Sequence, residues 1–442
     1  MKPPARLAAA IDILAAIDEG KGPADETAAG YFRGHRYIGA KDRAAVASLV
    51  YGVLRERAAL DWWIARADPS LPIGARSRLL AALELVEGWS PKSIASSFSG
   101  GRFAPSPLTG EEERFLSRLA GHTLLHPQMR RSVRCGIPPW LEPNFERAFG
   151  GALESEAAAL GRAAPVDLRV NLLKSDREGA RRALLAEGVA AEPTPFSPVG
   201  LRLSARTPLR GLRAFKEGLV EPQDEGSQLA ALLADARPGM TVVDFCAGAG
   251  GKTLALAAAM RNRGRLVACD VSPRRLESAA RRLARAGVGN VERRLLSSER
   301  DKWVKRHEAS FDRVFLDVPC LGTGTWRRNP DMKWRMRPED LGELLVRQRE
   351  ILKSAARLVR PGGRLIYVTC SFLCEENEDQ IEIFLVSEPS FSLYPAWRAW
   401  EETMRGCSPA ADAAPAGERY LRLTPARHGT DGFFVAILER RS

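Results

Sequence analysis

The C-terminal half of the chain alternates between β-rich runs and helical segments, and this alternation constrains the fold more than any other feature. The β-rich runs are "MTVVDFC", "GRLVACD", "NVERRLL", "FDRVFLDVPC" and "GRLIYVTC". Strands that alternate with helices in this way predict a Rossmann-like, doubly wound parallel sheet, hence an α/β domain over residues 236–442. The last run, "GFFVAILERR", predicts one more strand, added antiparallel to the others.

The residues before this domain divide into two further regions. Residues 1–138 are predicted to be all-helical, because Leu7, Ile11, Leu14 and Ile17 recur at helical spacing and "DRAAVASLVYGVLRERAALDWWIAR" continues the period. Residues 139–235 read as a small α+β subdomain, with "VDLRVNLLK" and "GLRLS" as strands and "DREGARRALLAEG" as a helix. A short low-complexity stretch at residues 411–417, "ADAAPAG", is interpreted as a surface loop.

Composition narrows the class of partner and the compartment. The 442 residues carry a net charge of +12, which favours a polyanionic partner such as nucleic acid. The seven cysteines include no CxxC pair and the five histidines are dispersed, so we expect no metal site. Acidic residues interrupt the apolar N-terminal stretch, and no segment has the roughly twenty apolar residues that span a bilayer. We therefore expect a cytoplasmic protein without a membrane partner, whose thiols stay reduced.

A glycine-rich turn in "VVDFCAGAGGKTLALA" follows the first strand of the α/β domain and predicts a cofactor site. Gly248, Gly250 and Gly251 allow a tight turn and close approach of a ligand to the helix N-terminus. A P-loop is disfavoured because that motif needs glycine where this chain has Cys246. Asp270, twenty residues after Gly250, is placed to accept hydrogen bonds from ribose hydroxyls. The turn suits NAD or S-adenosylmethionine equally, and a turn without a ligand is the alternative.

Two further cysteines, Cys320 and Cys370, end the fourth and fifth strands of the domain in "LDVPCLGTG" and "IYVTC". Because ligands of doubly wound sheets bind beyond the carboxyl ends of the strands, we expect both thiols in one pocket beside the cofactor. Cys246 and Cys269 are interpreted as core cysteines of the strand-to-helix turns.

A thiolate near a methyl donor has a specific use when the substrate is a cytosine. Addition of the thiolate to C6 makes C5 nucleophilic, so that C5 can attack an electrophilic methyl group. Asp317, which ends the fourth strand, is placed to hydrogen-bond the N3/N4 edge of the base. The residues themselves do not tell which cysteine attacks, because nothing in the sequence says which thiol has the lowered pKa.

At these residues the chain resembles the RNA cytosine-C5 methyltransferases of the RsmB/Nop/Sun class. The similarity covers residues from about 165 to the C-terminus. Its motifs are "DVPC" with "GTG", "RRNPDMKWR", "TCS" with "EENE", "CAGAGGKT", "LRVNLLK", "EGLVEPQDEGSQL" and "DGFF". The N-terminal "RAAVASLVYGVLRERAALDWWI" is similar to the NusB-like RNA-binding domain of the family's bacterial 16S rRNA members.

The resemblance implies S-adenosylmethionine as the cofactor, RNA as the partner with 16S rRNA favoured, and a division of labour between the thiols. It implies that Cys370 is the nucleophile, that Cys320 assists product release, and that Asp317 contacts the base. It further implies that Asp270 binds ribose and that the loop and lysine line the cofactor site: Cys246, Ala247, Gly248, Ala249, Gly250, Gly251 and Lys252. We expect a monomer. The alternatives are a tRNA or DNA methyltransferase of the same chemistry and a non-catalytic rRNA-binding assembly factor.

Two departures from the family pattern stand out. Ala249 takes a position that the family usually fills with proline, which predicts a slightly looser turn. Leu295 and Leu296 stand where an acid usually lies near the adenine, so Glu299 or Asp301 is a candidate substitute.

Basic and aromatic residues lie together in three segments that are candidates for RNA contact. Their side chains suit phosphates and unstacked bases, although about half of the group at residues 281–285 is expected to be only solvated. The candidates are Trp303, Trp326 and Trp334 with Arg327, Arg328 and Lys333.

Overall fold

The computed structural model describes residues 1–20, 22–404 and 418–442, so the loop interpretation of "ADAAPAG" lies outside the described residues. These residues form two compact units, of which the first comprises residues 1–163 and 326–336 and the second residues 164–325 and 337–442. No helix in this part of the chain has the length and apolar character needed to cross a bilayer.

Within its described residues, the first unit contains helices joined by loops and no strands. Its long central helix, α3 (Ala40–Ala67), packs through Val46, Val53 and Leu60 into one apolar core shared with the neighbouring helices. Two short 3₁₀ turns, Pro139–Leu141 and Gly150–Ala152, flank the helix α8 (Glu142–Phe149). The other helices are α1 (Pro3–Asp18), α2 (Ala24–Gly34), α4 (Ala75–Leu85), α5 (Pro91–Ser97), α6 (Gly110–Leu119), α7 (Arg131–Arg134), α8 (Glu142–Phe149) and α9 (Leu153–Leu160).

Residues 326–336, far along the chain, belong to this helical unit. Trp326 is fully buried and stacks on Phe145 with ring centroids 5.2 Å apart. Asp331 accepts a hydrogen bond of 3.1 Å from the Ala24 N–H, at the start of α2. The indole of Trp334 donates to the Leu54 carbonyl over 3.2 Å.

The second unit begins with a four-stranded antiparallel sheet in the order β2-β3-β1-β4. One face of this sheet is apolar and packs on α10 through Leu168, Val170 and Leu184. Asn171, which follows β1, donates hydrogen bonds to the carbonyls of Gly218 and Ala286 and so ties the small sheet to the larger domain. The elements are β1 (Asp167–Val170), α10 (Arg177–Ala186), β2 (Ala191–Pro193), β3 (Gly200–Leu203), α11 (Arg213–Lys216) and β4 (Val220–Pro222), with a 3₁₀ turn at Leu209–Gly211.

The larger sheet is the doubly wound sheet that the alternation predicts. Its strand order is β10-β12-β9-β8-β5-β6-β7, and β11 pairs with β12. The five strands from β9 to β7 are parallel, whereas β12 joins β9 antiparallel, as predicted for "GFFVAILERR". The strands are β5 (Thr241–Asp244), β6 (Arg265–Asp270), β7 (Val291–Leu295), β8 (Phe311–Asp317), β9 (Val359–Thr369), β10 (Phe391–Tyr394), β11 (Leu421–Leu423) and β12 (Phe433–Arg440).

Helices cover both faces of this sheet, so the parallel strands β5, β6, β8 and β9 are mostly buried, whereas the edge strand β7 is mostly exposed. One apolar cluster joins Val314 to Ile351 of α17, and the other joins Val242 to Leu256 of α13. This burial fixes the strand ends from which the site residues project. The helices are α12 (Glu225–Leu232), α13 (Gly251–Ala259), α14 (Pro273–Ala286), α15 (Lys302–Arg306), α17 (Pro338–Ala356), α18 (Glu378–Ser387), α19 (Ala396–Met404) and α20 (Pro425–His428); α16 (Met332–Arg335) lies in the helical unit.

Candidate active site

The glycine-rich loop lies between β5 and α13, at the carboxyl edge of the parallel strands. Gly248 and Gly250 have φ angles of 56° and 81°, which favour glycine. A Cβ atom at Gly250 would lie 3.0 Å from the Cβ of Ala279, so the turn packs closely on α14. The carbonyl of Ala249 accepts a hydrogen bond of 2.7 Å from Arg282, which holds the turn that lacks the usual proline.

Asp270 ends β6 and fixes the shape of the loop. Its two carboxylate oxygens accept hydrogen bonds from the N–H groups of Gly248, over 2.8 Å, and Ser272, over 2.7 Å. A carboxylate oxygen has a second lone pair, so these bonds leave acceptor capacity for a hydroxyl group of a ligand. The position at the end of the second parallel strand is the one that the sequence indicates for ribose binding.

Lys252, in the first turn of α13, has a side chain that is 12% exposed and forms an ion pair of 2.5 Å with Asp317 at the end of β8. Its Nζ atom also lies 5.3 Å from the centroid of the Phe433 ring. Burial by itself lowers the pKa of Lys252, but the Asp317 carboxylate outweighs burial and raises that pKa above its ordinary value. Lys252 is therefore a cation held in place by its ion pair with Asp317.

A buried acid lies beneath the loop. Asp244, the last residue of β5, is 1% exposed and accepts a hydrogen bond of 2.6 Å from the Thr253 hydroxyl. Burial raises the pKa of Asp244 to about 7, although the Thr253 bond opposes the shift; the nearby Asp317 and Asp270 carboxylates raise it further. Because Lys252 pairs with Asp317 and Asp244 is protonated up to about pH 7, Asp270 is left as an uncompensated carboxylate, which repels the pyrophosphate of NAD and attracts a cation such as a sulfonium. The residues present thus fit S-adenosylmethionine.

The two thiols of the sequence analysis meet in one place. β8 and β9 are parallel neighbours, and Cys320 and Cys370 follow their carboxyl ends with the two Sγ atoms 3.5 Å apart. The hydrogen bond with Cys370 and burial raise the pKa of the Cys320 thiol well above its ordinary value. Cys320 is therefore a thiol at neutral pH, and the contact allows its S–H group to donate to the sulfur of Cys370.

Two side chains that the sequence analysis missed hold the loop that carries Cys320. Glu376 is fully buried and accepts hydrogen bonds of 2.9 Å from the Leu321 N–H and from the Gln348 amide. The same amide donates to the Pro319 carbonyl over 2.9 Å. The "EENE" motif marks Glu376 in the sequence. The role of Glu376 could not be read from that motif, because its hydrogen-bond partner Leu321 lies 55 residues away in the chain. Gln348 lies in a polar helix, and its sequence context carries no such signal.

The glycine of "GTG" is explained by the backbone of "DGFF". A Cβ atom at Gly324 would lie 2.4 Å from the Gly432 carbonyl oxygen, so the two segments cross in direct contact. The Gly324 N–H donates to the Cys370 carbonyl over 2.9 Å, and the Gly432 N–H donates to the Gly324 carbonyl over the same distance. These bonds set the separation of the two cysteine loops.

The structure also shows the burial of the two remaining cysteines of the domain and of the residues near the expected adenine position. Cys269 is fully buried, as expected for a core residue, whereas Cys246 is half-buried and burial raises its pKa well above the ordinary value. Leu295 is 48% exposed at the end of β7, whereas Leu296 is buried. Asp301 caps α15 through the Trp303 N–H, so its carboxylate already serves the local backbone.

The sequence interpretation of the basic and aromatic segments as RNA contacts is wrong for most of their members. Trp303 and Trp326 are 5% and 0% exposed, so their faces are covered by protein and cannot stack on bases. Lys333 and Arg327 are 3% and 4% exposed, which removes them from a phosphate-binding surface. The tryptophans and basic residues of segment 326–336 instead pack within the helical unit.

Fold and site together define a Rossmann-like, S-adenosylmethionine-dependent methyltransferase with two thiols beside its cofactor loop. The sequence model described as 16S rRNA methyltransferase RsmB/F matches residues 231–439, and that of the RsmF/B-like ferredoxin-like domain matches residues 137–210.

Individual relatives agree over nearly the whole chain. The probable ribosomal RNA small subunit methyltransferase B of Synechocystis sp. is 31% identical over 418 residues, which cover 90% of this chain and 91% of that protein. The ribosomal RNA small subunit methyltransferase B of Salmonella paratyphi B is 30% identical, with 91% of each chain covered. The crystal structure of PH0851 is similar with a TM-score of 0.79 and 28% identity, covering 100% of this chain and 99% of that one. The chain belongs to the RsmB/F family of rRNA methyltransferases.

Proposed function

We propose that this protein methylates C5 of a cytosine in 16S rRNA, with Cys370 as the nucleophile and Cys320 as the residue that assists release. The observation that carries the proposal is the 3.5 Å contact between the two thiols beside the Lys252–Asp317 ion pair. A methyltransferase acting on an exocyclic amine or a ribose hydroxyl has no use for a thiol, whereas C5 of cytosine needs a nucleophile at C6.

The contact between the thiols favours Cys370 for the attack. The hydrogen bond with Cys370 and burial raise the pKa of Cys320, so its S–H group can donate to the Cys370 sulfur and would stabilise a thiolate formed there. The cation of Lys252 lies close enough to interact with Cys370 and adds to this stabilisation. A residue that holds its proton cannot begin the addition, which leaves Cys370 for that role.

The chain's own residues then perform the following steps. The Cys370 thiolate adds to C6 of the cytosine, and the electron pair of the C5–C6 double bond becomes available at C5. C5 then forms a bond to the electrophilic methyl group that S-adenosylmethionine would supply when bound, and the bond between that methyl carbon and the sulfonium sulfur breaks, leaving S-adenosylhomocysteine. The Asp317 carboxylate, held by Lys252, accepts a hydrogen bond from the N4 amino group of the base and so orients the cytosine for the addition.

Release reverses the addition. The C5 proton passes to water, its electron pair restores the C5–C6 double bond, and the C6–S bond breaks with its electrons returning to Cys370. The Cys320 S–H group donates to the departing thiolate and so lowers the cost of the elimination.

The proposal also assigns the cofactor-binding residues, the domains and the RNA substrate. The loop from Cys246 to Gly251 with Lys252 would hold S-adenosylmethionine, and Asp270 would bind its ribose; the acid set described above supports this placement. We infer three domains: a NusB-like RNA-binding domain at residues 1–138, a small α+β domain at 139–235 and the methyltransferase domain at 236–442, in a monomeric protein. The names of the Synechocystis and Salmonella relatives favour 16S rRNA over tRNA.

Bisulfite sequencing tests the proposal directly. Purified protein is incubated with S-adenosylmethionine and either unmodified 16S rRNA or unmodified tRNA, and each RNA is then sequenced after bisulfite treatment. We expect a protected cytosine in the 16S rRNA and none in the tRNA. Protection in tRNA alone would contradict the substrate, and incorporation of methyl groups without any protected cytosine would contradict the C5 chemistry.

A further inference from the structure

A single carboxylate on the polar face of the small sheet is shared among three arginines. Glu221 of β4 pairs with Arg282, whose Nη2 atom lies 2.9 Å from Oε1, and its other oxygen pairs with Arg285. Arg169 of β1 lies opposite Glu221 in the antiparallel register. Three guanidinium groups against one carboxylate leave this cluster with an excess of positive charge.

The third arginine is buried, and two of its three side-chain nitrogen atoms lack a hydrogen-bond partner within the described residues. Arg169 is 5% exposed, and within the described chain its Nε and Nη1 atoms have no acceptor. Burial lowers the pKa of Arg169 to about 10; Glu221 opposes the shift and Arg282 adds to it. A buried guanidinium without bonded acceptors is costly to the folded protein, and a bound anion beside the cluster would reduce that cost.

Glu221, Arg282 and Arg285 of the cluster line a groove of about 740 Å³ between the small sheet and α14, and Arg169 lies behind them on β1, opposite Glu221. Four arginines and one glutamate line the groove, which gives its walls a net charge of +3. Arg210 and Arg281 are exposed there, and neither has an ion-pair partner among the residues that the structure describes. The lining residues are Thr207, Leu209, Arg210, Phe215, Glu221, Pro222, Ser278, Arg281, Arg282 and Arg285.

The groove suits a phosphate backbone better than a base. Its aromatic ring, Phe215, is covered by the guanidinium of Arg285, whose Cζ lies 3.9 Å from the ring centroid. No second aromatic residue lines the groove within the described residues, so unstacked bases have no free ring to stack on. Guanidinium groups, by contrast, bind phosphate oxygens through paired hydrogen bonds, independently of sequence.

We propose that this groove binds the phosphodiester backbone of the substrate RNA through Arg210 and Arg281, with the Arg169–Arg282–Arg285 cluster holding its floor positive. This proposal rests on the proposed function, because that function makes RNA the polyanion that the groove binds. It also explains the "RRLAR" segment of α14, in which Arg281 faces the groove freely while Arg282 and Arg285 pair with Glu221. Arg282 donates to Ala249 as well, so the RNA site and the cofactor loop share one residue.

Salt dependence of RNA binding tests the groove without requiring methylation. The affinity of the full-length protein for a fluorescein-labelled, single-stranded RNA oligonucleotide of mixed sequence is measured by anisotropy over a series of salt concentrations. Each lost phosphate contact to single-stranded RNA reduces the slope of log K against log salt by about 0.7. We expect the double variant Arg210→Gln/Arg281→Gln to lower the slope by about 1.4 and to weaken binding about tenfold at low salt.

Arg263→Gln is the control. Arg263 is exposed before β6, at the amino end of the parallel strands, and the substitution removes one positive charge away from the groove. It should retain the wild-type slope. An unchanged slope in the double variant, or an equal loss in Arg263→Gln, would overturn the proposal.

A second arm separates an RNA backbone from a small anion. Inorganic phosphate is added as competitor at constant ionic strength. Weak competition that disappears in the double variant supports the backbone site, whereas phosphate binding with an unaltered RNA slope would assign the groove to a free anion and refute the proposal. Failure of the bisulfite experiment on the wild-type protein would refute the C5 chemistry and leave these binding results standing.

Discussion

The Sγ atoms of Cys320 and Cys370 lie 3.5 Å apart, although 50 residues separate them in the chain. The distance follows from topology, since each cysteine follows the end of one of two adjacent parallel strands. The bonds that Glu376 and Gln348 make to residues 319 and 321 hold the loop of Cys320 in place. The two sulfurs therefore lie close enough for one S–H group to donate to the other.

Substitution of each thiol should give opposite results in a trapping experiment. Cys320→Ala removes the S–H group that assists elimination, so we expect a covalent RNA adduct that survives denaturing electrophoresis. Cys370→Ala removes the nucleophile and should give no adduct and no methylation. Cys135→Ala, which changes a thiol of the helical unit, should behave as wild type. Adduct in Cys370→Ala and none in Cys320→Ala would reverse the assignment.

The contact between Gly324 and Gly432 predicts a steep steric effect. A Cβ atom at Gly324 would lie 2.4 Å from the Gly432 carbonyl oxygen, so Gly324→Ala must displace one of the two backbones. We expect a loss of about 1–3 kcal/mol in the free energy of unfolding and a severe loss of methylation, measured by urea unfolding and methyl incorporation.

Gly342→Ala is the control for that substitution. Gly342 lies inside α17 with open space around its Cα, so alanine there should be neutral or stabilising by up to about 1 kcal/mol. Wild-type stability in Gly324→Ala would show that the crossing of the two segments is not tight.

The sheet and the pairing of the thiols could be predicted from the sequence because both depend on local pattern. Strand periodicity locates β5 to β9, and the rule for strand ends places Cys320 and Cys370 together. The role of Gln348 could not be predicted, since a buried amide on a polar helix differs from a solvated one only in the folded chain. The segment around Trp326 was misread for the same reason, because tryptophans beside basic residues suit either RNA or a protein core until burial is known.

The buried Asp244 predicts an unusual pH dependence of stability. The folded protein holds a proton on Asp244 up to about pH 7, whereas the unfolded chain releases it near pH 4, so this group makes stability fall as the pH rises between these values. Asp244→Asn carries no charge and keeps an acceptor for Thr253. The free energy of unfolding of Asp244→Asn relative to wild type should therefore be about 1–4 kcal/mol higher at pH 8 than at pH 4.5, measured by urea unfolding. An equal difference at both pH values would show that Asp244 is not protonated in the folded protein.

Arg282 should control cofactor affinity from outside the cofactor loop. It donates a 2.7 Å hydrogen bond to the Ala249 carbonyl and pairs with Glu221, so it anchors the loop where proline is absent. Loss of a hydrogen bond from a charged donor costs about 1–2 kcal/mol, so Arg282→Ala should raise the Kd for S-adenosylmethionine roughly 5–30-fold in calorimetric titration. Arg275→Ala, an exposed change on the same helix, should leave that Kd unaltered. If both variants bound the cofactor equally well, the loop would owe its shape to its glycines and Asp270 alone.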